Sequence, residues 1–222
     1  MVRKSTGYRR KKRDTRTRKV KRVLLIAAEG SSKNKTEKSY FHNFQNDLVT
    51  VRFVSGDETD PVHLANRLKH EVQEMELQED DFAACIVDAD FTVEKNVQLS
   101  RADTILKKVR NTRAELIVSN PCFEIWYLCH FIYSTRQFNN PREVLDELKK
   151  YIAGYEKNQN VYPEYLQDKT NKAIENAKKM EKHCLDSGHT PHTVAFSPST
   201  DVYKIFEIFL SNSSLQLFEQ IN

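Results

Sequence analysis

Glycine is scarce in this chain, and none of it sits where it would cradle phosphate. There are five glycines in 222 residues, with neither a GxGxxG nor a Walker sequence, so nucleotide binding through a glycine loop is disfavoured. No apolar run approaches the roughly 20 residues of a membrane span. The N-terminus carries basic residues but lacks the apolar segment of a secretory signal, so an intracellular, cytoplasmic protein without membrane contact is expected. Cys85, Cys122, Cys129 and Cys184 form no close pair of the zinc-ribbon or redox type, and reduced core thiols are the expectation. His183, Cys184, His189 and His192 crowd together, yet their spacings match none of the usual structural-zinc patterns. There is no internal repeat and no low-complexity linker.

The charge that is present is unevenly placed. The formal net charge is +4, but residues 1–22 hold twelve Lys and Arg against Asp14 alone, a net of +11, and the remaining 23 basic and 30 acidic residues leave the body at −7. An acidic body repels a polyanion, whereas a cationic arm neutralises phosphates and releases their counterions. Arg9, Arg10, Lys11, Lys12, Arg13, Arg16, Arg18 and Lys19 are therefore candidate nucleic-acid contacts, with a solvated tail or localisation signal as the other reading.

Past the arm, apolar runs of strand length alternate with stretches of helical period, the pattern of βαβ units and a parallel sheet covered on both faces. Strands are expected at about Arg22–Ala28, Thr50–Val54, Phe82–Val87 and Ala114–Val118. Helices are expected from Thr36, with Tyr40, Phe41, Phe44 and Leu48 on one face; from the Asp60-Pro61 cap, with Leu64, Leu68, Val72 and Met75 buried; and through Leu99, Ala102, Leu106 and Val109. Asn120 with Pro121 reads as the cap of a buried helix through Trp126. From Pro141 onward the pattern is helical, with a short strand at Thr193–Phe196 and a last helix capped by Thr200. The organisation expected is a basic arm (1–20), an α/β domain (21–135) and a helical extension (136–222) packed on the same core.

Four acids fall where a parallel sheet gathers them: Glu29 after the first strand, Asp88 and Asp90 after the third, and Glu124 just after the fourth. Ligands of doubly wound sheets sit beyond the carboxyl ends of the strands. Oxygen donors of this kind suit Mg²⁺ held by one or two carboxylates together with substrate phosphate. Taken alone, Asp90 reads equally as a helix cap or a solvated acid. Glu124 is the one acid between Glu115 and Glu143, in an apolar run where an unpaired carboxylate is costly; a helix-dipole charge or a partner for a buried arginine are its other readings. Trp126 reads as core. His130, four residues on, reads either as a core hydrogen-bonding residue or as a proton-transfer group.

At these residues the chain resembles the RloB-like family, a branch of the Toprim superfamily associated with bacterial and archaeal antiphage or restriction loci. The matching elements are Ala28-Glu29-Gly30, Thr36-Glu37 with Tyr40-Phe41, Asp88-Ala89-Asp90, the block Ser119-Asn120-Pro121-Cys122-Phe123-Glu124-Ile125-Trp126 with His130-Phe131, and Ser197-Pro198-Ser199-Thr200. The resemblance implies a Rossmann-like Toprim core, a mainly parallel sheet of about four strands flanked by helices. It implies Glu29 as general acid or base, and Glu29, Asp88 and Asp90 at Mg²⁺ or Mn²⁺, with Glu37, Glu124, His130 and Asn120 as further members of the site. One departure is the insertion Ser31-Ser32-Lys33-Asn34-Lys35 between the glutamate-glycine and threonine-glutamate pairs, which bears on whether Glu37 reaches the site. The activity implied is a metal-dependent phosphodiester hydrolase, an endonuclease on RNA such as transfer RNA or on DNA, acting as a toxic effector of abortive antiphage defence. Nucleic acid, an ATPase or other defence component, and a second copy of the chain are the partners implied. The rival readings are a non-catalytic nucleic-acid-binding or sensor subunit and a primase-like nucleotidyl transferase.

Overall fold

The computed structural model describes residues 21–30, 36–89 and 93–210. The basic arm, the Ser31–Lys35 insertion and Asp90 lie outside the described residues. Five strands, β1 (Arg22–Ala28), β2 (Val49–Phe53), β3 (Phe82–Asp88), β4 (Arg113–Asn120) and β5 (Ser199–Thr200), form one sheet in the order β2-β1-β3-β4-β5. The first four are mutually parallel and β5 is antiparallel to β4.

The near-continuous apolar character of β1 and β3 follows from burial on both sheet faces. Alternate side chains serve two cores. Leu24, Ile26, Phe82, Ala84, Ile86 and Ile117 face one. Val23, Leu25, Ala83, Cys85, Val87, Leu116 and Val118 face the other, where α2 (Pro61–Glu74) and α3 (Val93–Leu106) cover them through Leu64, Leu68, Val72, Leu99, Ala102 and Leu106. Asp60 caps α2 as its sequence predicts, its carboxylate accepting from the His63 amide at 2.9 Å with Pro61 at the first helical position.

The helical extension closes the first core. From α5 (Pro141–Leu148) and α6 (Thr170–Asp186), Val144, Leu148, Ala173, Ala177 and Met180 join the cluster that holds Ile26, Ile117 and Trp126. Phe206 and Phe209, in the π-helical turn Phe206–Leu210 after α7 (Val202–Ile205), belong to it as well. All four cysteines are free and buried. No helix among the described residues is long and apolar enough to cross a membrane.

Several elements differ from the sequence expectation. The helix from Thr36, α1 (Thr36–Phe41), tightens into a 3₁₀ turn at His42–Phe44 instead of running to Leu48. There Asn43 donates its amide to the Ser39 and Tyr40 carbonyls at 2.7 and 2.9 Å, a side-chain alternative to the helical ladder. Asn120 is not a helix cap. It ends β4, precedes a cis peptide to Pro121, and donates to the carbonyls of Val194, Phe196 and Thr193 at 2.9, 3.2 and 3.4 Å, while α4 (Glu124–Cys129) starts four residues later. Thr193–Phe196, expected as a strand, is irregular because its carbonyls serve Asn120. The added strand is β5, paired as Asn120↔Ser199 and Ser119↔Thr200, with the Ser119 and Thr200 hydroxyls 2.9 Å apart. The two Ser/Asn/Pro-containing segments singled out in the sequence are thus one structural unit, and Asp201 rather than Thr200 stands at the N-cap position of α7.

Candidate functional site

Because β1, β3 and β4 are parallel, their carboxyl ends share one edge. Asp88 is in register with Ser119, and Glu29 follows Ala28, whose partner on β3 is Ile86. Gly30 turns the chain away from β1 at φ 57, a left-handed conformation natural to glycine. Glu124 opens α4 and Glu37 lies in the first turn of α1, both buried. Despite the insertion that precedes it, Glu37 lies within electrostatic range of Glu124 and Glu29.

The carboxyl groups are close enough to govern one another's protonation. Burial, then the charges of Glu37, Glu124 and Glu29, hold the Asp88 carboxyl well above the ordinary aspartate value. Burial, with added repulsion from Glu124 and Glu29, pushes Glu37 from 4.5 up to about 7. Like charges in a desolvated setting favour the neutral acid, so both carboxyls hold their protons more tightly than free side chains do.

Two lysines that the sequence reading did not single out supply opposing charge. Lys95, on α3, places Nζ 2.8 Å from Glu29 Oε1, with both side chains largely buried. Lys157 comes from the loop after α5, its Nζ 3.6 Å from Glu124 Oε1. Burial pulls the Lys157 pKa down, but Glu124, Cys122, Asp88 and Glu37 outweigh it and raise it. The Tyr155 hydroxyl also donates to Glu124 Oε1 at 3.5 Å. No periodicity or spacing marked these residues, because the contacts join distant segments, 66 residues apart for Lys95 and Glu29 and about thirty for Lys157 and Glu124.

Carboxylate oxygens whose charges act on one another fit a hard divalent cation such as Mg²⁺ or Mn²⁺. Among the described residues, however, no three His, Cys, Asp or Glu side chains form a group that would hold an ion unaided. Mg²⁺ needs no such cage, since it retains waters and takes one or two carboxylates plus substrate phosphate. Asp90, two residues past Asp88, lies outside the described residues.

His130 belongs elsewhere. It is fully buried, its Nδ1 is 2.9 Å from the Trp126 carbonyl oxygen, and its ring packs at 5.0 Å from Trp126 and 6.2 Å from Tyr40. Burial lowers its pKa to about 3, and the side-chain charges that act on it are Lys169 and Asp168 rather than the carboxylates. These contacts match the core hydrogen-bonding reading of His130. In the His183–His192 region, Cys184 donates its thiol to the Pro198 carbonyl at 3.6 Å and His192 pairs with Asp201 at 2.8 Å, so structural contacts occupy them.

Glu37 makes stability pH-dependent. Its folded-state pKa near 7 lies above the unfolded 4.5, so the native state holds the extra proton between those values and stability falls as pH rises through that window. The full span is worth about 3 kcal/mol. Glu37→Gln is expected to flatten the loss in denaturant titrations between pH 5 and pH 8; parallel losses in the variant and the wild type would refute the assignment.

An open, mostly parallel α/β sheet with acidic residues gathered beyond its strand ends defines the class. Within it, residues 24–208 match the family described as RloB-like protein, and the chain belongs to that family. Neither a curated protein nor a solved structure matches it.

Proposed function

We propose that the protein is a Toprim-type, Mg²⁺- or Mn²⁺-dependent phosphodiester hydrolase, an endonuclease acting on RNA such as transfer RNA or on DNA, and a toxic effector of abortive antiphage defence. The observation that carries this reading is the convergence of Glu29, Glu37, Asp88 and Glu124 from separate segments onto the carboxyl edge of the sheet, close enough to raise the proton affinities of Asp88 and Glu37. Membership of the RloB-like family supports it. So does the +11 arm, which would provide the phosphate affinity that an acidic body lacks.

Asp88 and Asp90, with Glu29, would hold the cation, and Glu124 would complete the shell. When bound, the cation would lower the pKa of a water and stabilise charge on the phosphate oxygens. The hydrolysis forms a bond from a water oxygen to phosphorus and breaks one P–O ester bond. The proton lost by the water passes to a carboxylate, Glu29 in this reading, and the departing oxygen gains one. A cytoplasmic site of action and an ATPase or other defence component as partner belong to the same proposal.

One observation favours the non-catalytic alternative: Glu29 is engaged by Lys95 at 2.8 Å, an arrangement that would suit a purely structural ion pair. Incubating the full chain with end-labelled RNA or DNA and Mg²⁺ or Mn²⁺ separates the readings. Scission that stops on chelation is expected; binding without scission would favour a sensor subunit, and incorporation of labelled nucleotide a transferase.

A further inference from the structure

The loop that delivers Lys157 is tied down at several points. Gly154 and Asn158 adopt left-handed backbone conformations, φ 71 and 72, and the residues just after Lys157 are laced to α1 and the 3₁₀ turn that follows it. The Asn158 amide donates to Thr36 Oγ1 at 3.2 Å and the Ser39 hydroxyl donates to the Asn158 carbonyl at 3.4 Å. Asn43 and Asn160 exchange side-chain amide bonds at 3.0 and 3.2 Å. Lys157 is therefore presented at the acidic edge by a loop whose next residue, Asn158, is bound to α1, the helix that carries Glu37.

Its environment differs from that of Lys95. The Lys95 side chain is 7% exposed and hydrogen-bonded to Glu29, an internal counter-ion. The Lys157 side chain is 43% exposed, its ammonium stands 3.6 Å from Glu124, beyond hydrogen-bond distance, and it makes no hydrogen bond among the described residues. Only the lysine end of this pair is open, since the Glu124 side chain is 2% exposed; the ammonium offsets the buried carboxylate by charge and keeps its own hydrogen-bonding capacity for another acceptor. A phosphate brought to these buried carboxylates is repelled by their charge, and a more exposed cation beside them offsets that repulsion.

We infer that Lys157 is a substrate-binding residue whose ammonium takes a non-bridging oxygen of the phosphodiester brought to the acidic edge. The inference rests on the phosphodiesterase reading above and extends it: the helical extension supplies part of the substrate site. Ammonium is a compact donor suited to phosphate as a point charge, and the Lys157 side chain is exposed enough to meet a ligand.

The test uses full-length wild type, Lys157→Met and Lys157→Arg. For cleavage of a short single-stranded oligonucleotide with Mg²⁺, KM should rise about ten- to a hundredfold in Lys157→Met, the scale of one charge-assisted hydrogen bond, with kcat changed far less and most of the loss recovered in Lys157→Arg. For binding of the same strand in Ca²⁺, the slope of log affinity against log salt should shrink by about 0.7, one phosphate contact. An unchanged KM and salt slope in Lys157→Met, with wild-type cleavage intact, would overturn the inference and leave the phosphodiesterase reading standing. A fall in thermal midpoint that Lys157→Arg does not reverse would mark a structural role and overturn it too. Wild type that neither binds nor cuts the strand would overturn both.

Discussion

Asp88→Asn is expected to abolish metal-dependent scission and, at the same time, to raise the thermal midpoint at pH 8. The loss follows from removing a carboxylate from the proposed cation site. Metal contributions of several kcal/mol correspond to a rate loss on the order of 10³-fold. The gain follows from the like-charge cluster itself. Burial and the charges of Glu37, Glu124 and Glu29 raise the Asp88 pKa, so the ionised carboxylate is penalised in the folded state. That penalty is absent below the unfolded value and grows as pH rises above it. A neutral amide escapes it, so the stabilisation should appear at pH 8 and vanish near pH 4. Functional sites are where such local costs accumulate. A variant that loses scission and also melts earlier at pH 8 would mean that Asp88 is a structural partner, contrary to this account.

Trp126→Ala should cost the most stability of any single change considered. Trp126 is fully buried, stacks on Phe206 at 5.4 Å, and meets His130 and Tyr40 edge-on at 5.0 and 6.3 Å. It joins α4, which carries Glu124, to the extension at the π-helical turn. Truncating a buried tryptophan typically costs about 3–5 kcal/mol, which for a domain of this size is a fall of roughly 10 °C in thermal midpoint. The site should suffer too, because Glu124 and Trp126 share the six-residue α4. A shift below about 3 °C would show that the extension does not depend on this packing.

Much of the α/β core was legible because its signals are local. β1 and β3 are unbroken apolar runs, α2 announces itself with Asp60-Pro61, and both appear where the pattern places them. The acidic edge was legible for the same reason, since parallel strands must deliver their carboxyl ends to one side. What the pattern did not disclose depends on contacts between distant segments. Asn120 looks like a cap and is instead a clasp on Val194 and Phe196, about seventy-five residues away. β5 is only two residues long, too short for any period, and exists because β4 offers an edge to Ser199 and Thr200. Lys95 and Lys157 are ordinary charges on polar stretches until folding sets them beside Glu29 and Glu124. For His130 the sequence left a core role and proton transfer equally open, and only the fold shows it at the C-cap of α4, packed within the aromatic core.

The account depends most on a cation being shared among carboxylates from separate segments. Titrating the full chain with Mn²⁺ and following the free-ion signal by electron paramagnetic resonance measures this without reference to any substrate. The prediction is specific binding by the wild type that weakens about tenfold or more in both Asp88→Asn and Glu124→Gln. Equal Mn²⁺ binding by wild type and both variants, or none by the wild type, would contradict it.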